Sequence, residues 1–167
     1  MLYTPIVNAA LRFAFKAHEG QLDRSGIPYV NHPLHLAEQM DTEDETVVAL
    51  LHDIIEDTEY TADDLSALGI SEAALEAILL LTHDDAVPYL DYVRKLKDNP
   101  LARKVKIADL RHNYDLTRLE EVTEKDIARF RKYWSALRLL FSLRGIDAYA
   151  EEDQDEVLNI MLEEQAR

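Results

Sequence analysis

Four ionisable side chains fall within a single six-residue stretch: His52, Asp53, Glu56 and Asp57. On a helix, the spacing of four brings His52 to Glu56 and Asp53 to Asp57, so all four crowd one face. Alone, such a stripe is an ordinary solvated face. Three carboxylates this close nevertheless repel one another, and one moves toward protonation unless a cation joins them. Asp109 is a second piece. In its helical segment it shares a row with Ala102, Val105, His112 and Leu116, where a carboxylate needs a partner or a metal. Lys106 and His112, each three residues away, are the partners open to it. His32 is a third, set in direction by the proline that follows, with His35 one turn on as its rival. Two imidazoles and two carboxylates, with no cysteine in the chain, suit one borderline or hard divalent ion such as manganese, iron or zinc. Such an ion keeps open positions for water and deprotonates it near neutral pH. Glu56 and Asp57, one turn beyond, are placed to orient that water or take its proton.

The elements that must hold these residues read as helices throughout. Ile6, Ala10, Phe13, Ala14 and Ala17 give residues 5–18 one apolar face, and Gly20 ends it. Residues 21–31 read as a loop, and Pro33 fits the first turn of a short helix to about Met40. The spacing predicts one helix over Glu43–Asp57, a turn capped by Thr61, and a helix from Ser71 to about Thr82. Helices over 87–98 and 100–114 divide at Asn99-Pro100. A longer one follows from Thr123 to about Arg144, and an acidic segment from Tyr149. The expectation is one all-α domain over residues 1–167.

Composition excludes several classes. The 167 residues carry a net charge of −15, which repels a nucleic-acid backbone. No apolar run exceeds five residues (Val47–Leu51, Ala77–Leu81), far short of the ~20 a membrane helix needs. Four glycines are too few for a phosphate-cradling loop or a turn-rich β fold. With no leader pattern at the N-terminus, the expectation is a cytoplasmic protein with no membrane partner.

Three stretches then carry a resemblance: AHEGQLDRSGIPYVNHPLHLAEQM (17–40), TVVALLHDIIEDT (46–58) and VKIADLRHN (105–113). They resemble the HD-domain phosphohydrolases, in particular the hydrolase domain of RelA/SpoT homologues and the small alarmone hydrolases. The likeness spans about residues 6–117, and the helices of 123–167 lie beyond it. It implies an all-α HD-domain helical bundle with one metal, usually manganese, on His32, His52, Asp53 and Asp109. It implies that Glu56 and Asp57 serve hydrolysis and that Asn113 contacts the nucleotide. The implied reaction removes the 3′-pyrophosphate of guanosine tetra- or pentaphosphate by attack of a metal-bound hydroxide.

Two positions depart from the family. Where it carries an arginine that stacks on guanine and a lysine near phosphate, this chain has Asp23 and Arg24. A threonine seven residues after the ligand aspartate is replaced by Leu116, with Thr117 next. Both belong to base and ribose recognition and leave the metal set intact. Arg24, Ser25 and Lys106 are the further candidates for substrate contact. A different nucleotide or phosphate ester is the alternative substrate, and a non-catalytic nucleotide sensor the alternative class. His18 reads as a packed histidine, His83 as a surface one, and His112 as a partner behind Asp109. Tyr133, Trp134, Leu137, Leu140 and Phe141 read as core. The oligomeric state has no signature.

Overall fold

The computed structural model describes residues 1–142, 149–150 and 153–165, which divide into two compact units, Met1–Ala108 and Asp109–Arg167. Among the described residues there is no strand beyond one isolated bridge, Leu22 with Pro28. In the first unit, α1 (Pro5–Ala17), α2 (Asn31–Glu38), α3 (Glu43–Leu51), α4 (Ile54–Asp57), α5 (Ala62–Ala67), α6 (Glu72–Leu81) and α7 (Tyr89–Leu96) follow in order. α8 (Pro100–Tyr114) comes next, and the division falls inside it.

α3 is the centre of the first unit. It packs against α1, α2 and α6, and every residue from Thr46 to Leu51 is buried. A helix apolar on all sides belongs in a core. Its start is fixed by a capping box: Glu45 N–H donates to the Thr42 hydroxyl (3.3 Å), and Thr42 N–H to the Glu45 carboxylate (3.1 Å). Lys104 of α8 ties onto the same box through Glu45 Oε2 (2.6 Å) and Asp41 Oδ2 (2.8 Å). Thr4 caps α1, Ser71 caps α6 through Ala74 N–H (3.0 Å), and Thr61 and Asp64 box α5.

The single helix expected over 43–57 is two. His52 Nδ1 bonds to the Ala49 carbonyl (2.9 Å), drawing on an acceptor that the helix ladder would use. Asp53 then sits at φ −98°, ψ −1°, in the sparsely allowed bridge region, and α4 restarts at Ile54. Apolar periodicity continues through this break, which is why spacing alone does not reveal it.

In the second unit, a 3₁₀ turn (Leu116–Arg118) and α9 (Glu124–Ser142) both pack on α10 (Gln154–Gln165). Phe130 stacks on Trp134 (ring centroids 5.8 Å), and Tyr149 meets Trp134 edge-on (4.9 Å). Trp134 Nε1 donates to the Ala150 carbonyl (3.0 Å). Leu137 and Leu140 are core as expected, while Tyr133 and Phe141 are half-buried. The expected helix end near Arg144 and the acidic pair Glu151 and Glu152 lie outside the described residues. Among those described, no helix is long and apolar enough to cross a membrane.

Candidate active site

The break between α3 and α4 is the floor of the site. His52 ends α3 at 2% exposure, and His32, in the first turn of α2 before Pro33, is 5% exposed. Their rings lie 5.3 Å apart. Asp53 turns to the same point, its Oδ2 2.9 Å from His52 Nε2 and 3.7 Å from His32 Nε2. The tautomer matters here. A carbonyl only accepts, so the bond to Ala49 puts the His52 hydrogen on Nδ1 and leaves Nε2 a lone pair facing a carboxylate. A proton or a cation on that edge is what makes such an approach favourable, and the donor set fits a divalent ion. His35, the rival to His32, is exposed.

Tyr29 closes one side. Its hydroxyl donates to Asp53 Oδ2, and its ring rests on His32 (5.7 Å) and His18 (4.9 Å). His18 is packed, as expected, at 3% exposure, but it also belongs to a chain of bonds. Gln21 donates its Nε2 to the Asp57 carbonyl (3.0 Å), so its Oε1 faces His18 Nδ1 (2.7 Å). That chain holds α4 to the loop beneath it.

Glu56 and Asp57 lie one turn past the histidine end of α3, and both reach the surface. Burial still pushes the Glu56 carboxyl above its ordinary value; the Asp53 charge adds to this, and the His83 N–H and Lys106 work against it. Burial pushes Asp57 up as well, Asp53 again adding, while Tyr29, His18 and His52 pull it down. Carboxyls raised in this way are suited to exchanging a proton nearer neutral pH.

Asp109 is 4% exposed and is the first residue past the division of one unbroken helix, α8. Its Oδ1 accepts from the Asn113 amide one turn on, a partner the spacing allowed but which was not foreseen. Like His32 and His52, Asp109 is a buried residue of a type that could hold a metal ion.

No family model matches the chain. Curated relatives do. The zebrafish guanosine-3′,5′-bis(diphosphate) 3′-pyrophosphohydrolase MESH1 is 30% identical over 89% of this chain and 90% of its own length. The human protein of the same name is 31% identical over 86% and 87%. The chain belongs to the MESH1-type alarmone hydrolases. It also spans 18% of a Myxococcus xanthus GTP pyrophosphokinase at 34% identity, so it matches only a segment of that longer relative. A solved metazoan SpoT orthologue that hydrolyses ppGpp shares the fold, with a TM-score of 0.68, 22% identity, and 95% and 97% coverage of the two chains.

The 20–30 loop shows what Asp23 does. The Asp23 carboxylate accepts from Ser25 N–H (2.8 Å) and Ile27 N–H (3.0 Å), and Asp23 N–H donates to the Ile27 carbonyl (2.7 Å). Gly26, at φ +74°, completes the turn. Asp23 therefore builds the loop. Arg24 stands exposed beside it, and Ser25 is half-buried. Lys106 lies near Glu56, its Nζ 5.4 Å from the Tyr92 ring and 6.0 Å from Tyr89.

One expectation is corrected. His83 is no surface histidine: its side chain is 18% exposed, and its main-chain N–H donates to Glu56 Oε2 (2.9 Å). Residue type could not reveal this, because the contact belongs to the backbone. Tyr29 and Gln21 were also missed as site residues, although both lie inside the quoted loop motif.

Proposed function

We propose that this chain removes the 3′-pyrophosphate of guanosine tetra- or pentaphosphate, leaving GDP or GTP and pyrophosphate. The observation that carries the reading is the convergence of His32, His52 and Asp53, one turn from a raised carboxyl pair. The ion would be held by His32, His52, Asp53 and Asp109, with manganese as the preferred metal over iron or zinc. When bound, it supplies charge neutralisation at the phosphate and acidifies water.

The protein's own groups do the rest. Glu56 takes the proton of the attacking water, and Asp57 orients that water. Tyr29 holds Asp53 in place, as a hydroxyl bonded to a ligand carboxylate does. Asn113 steadies Asp109 and offers its remaining polar edge to the nucleotide. Lys106, Arg24 and Ser25 meet phosphate oxygens, which a chain of charge −15 would otherwise repel. Opposite-sign groups placed where charge develops are the largest single source of rate enhancement.

The turn built by Asp23 favours a second reading on specificity: a related nucleotide whose base needs no arginine stack. Competition among guanosine tetraphosphate, ordinary nucleotides and deoxynucleotides, with manganese-loaded protein, separates the two. Turnover of the alarmone alone supports the first, and turnover of the others alone supports the second. No turnover of any, with tight nucleotide binding, would make the chain a sensor.

A further inference from the structure

The loop after α6 begins with a contact onto Glu56. α6 stops at Leu81, whose carbonyl accepts the Tyr92 hydroxyl. Thr82 then turns extended (φ −69°, ψ 115°), its hydroxyl returning to the Ile78 carbonyl (3.1 Å). The next amide, that of His83, is thereby freed from the helix ladder and reaches Glu56 Oε2. The His83 ring fixes the path of the loop. A carbonyl can only accept, so His83 Nε2 donates to the Val87 carbonyl (2.8 Å). The ring also packs on Tyr92 (4.7 Å) and meets Tyr89 edge-on (5.7 Å).

We propose that His83 is a positioning residue for Glu56: its ring locks the Thr82–Pro88 loop so that its own amide holds the carboxylate in one orientation. The inference rests on the role given to Glu56 above. A carboxylate on a four-residue helix has few local restraints, and one charge-assisted backbone bond decides where its free oxygen points. Asp84 supplies a competing closure of the same loop, through Ala86 N–H (2.9 Å). If Asp84 alone suffices, the His83 ring is dispensable.

The test uses the whole 167-residue chain, manganese-loaded. His83→Ala is expected to lower kcat roughly ten- to a hundredfold, with KM and bound manganese unchanged, as misplacement of a reacting group does. His83→Gln, which can still donate to Val87, is expected to restore most of the loss. Combined with Glu56→Gln, His83→Ala should add nothing, because it acts only through that carboxylate. Independently of turnover, the His83 amide should be protected from hydrogen exchange and lose that protection in Glu56→Ala. Full kcat in His83→Ala, additive losses in the double variant, or an amide indifferent to Glu56→Ala would each overturn the proposal. A wild-type rate in Glu56→Gln would instead remove the role of Glu56, with the amide measurement still deciding the contact.

Discussion

The turn between α3 and α4 and the turn of residues 22–28 are built by opposite means. At the first, His52 and Asp53 emerge from the most buried helix of the unit, whose residues 46–51 are all enclosed. Their directions are set by the core and by the Ala49 carbonyl. At the second, the chain is exposed and its shape is local, two amides on the Asp23 carboxylate and a glycine at positive φ. A site residue rooted in a core cannot change without cost to the fold, whereas one on a self-contained turn can be exchanged. Of the two departures from the resemblance, the one at Asp23 and Arg24 falls on this turn, whereas the other, Leu116, is buried at 2% exposure.

Breaking the rooted side should give the largest effect. His52→Ala or Asp53→Ala is expected to remove bound manganese and lower turnover by roughly a thousandfold or more, since neither the ion nor its chemistry survives loss of a ligand. Metal analysis beside the turnover assay checks this, and full activity in a metal-stripped variant would sink the assignment. Glu56→Gln should keep the metal and slow hydrolysis roughly 10²–10⁴-fold. The raised Glu56 carboxyl also has a sign for stability. Its penalty on the folded state is absent below the unfolded value of 4.5 and present in full above the raised folded value. The neutral glutamine escapes it, so the metal-free variant should melt higher than the parent at neutral pH and no higher in acid. In the parent enzyme, the acid limb of the rate profile should lie above the ordinary carboxylate range.

Smaller changes sharpen the contrast. Tyr29→Phe removes the hydroxyl on Asp53 while keeping the ring packing, and should cost roughly 10- to 100-fold in metal affinity or turnover. Titration of manganese into the variant measures it. On the local side, Asp23→Ala should leave kcat within about threefold, as surface changes usually do, while Ser25 and Ile27 amides exchange faster. A loss as large as that of Tyr29→Phe would mean that the loop is as rooted as the floor.

Legibility followed the same division. The capping residues Thr61 and Ser71, the apolar stripe of α3 and the His-Asp and Glu-Asp pairs are readable because each depends on residue type at a fixed spacing. The helix break at His52 was not, since Ile54 and Ile55 continue the apolar period through it. Asp23 read as a lost contact until its carboxylate was seen to accept two amides, although Asp-Arg-Ser-Gly is itself a turn signal. His83 was misjudged because what matters is its amide, which every non-proline residue has. Tyr29 could have been found as the phenol three residues before His32.

The central claim is the bond that is cut. Manganese-loaded protein and guanosine tetraphosphate, incubated in heavy-oxygen water, should yield GDP and pyrophosphate, with the label in the pyrophosphate. Unchanged tetraphosphate, release of orthophosphate, or label in the GDP would contradict it.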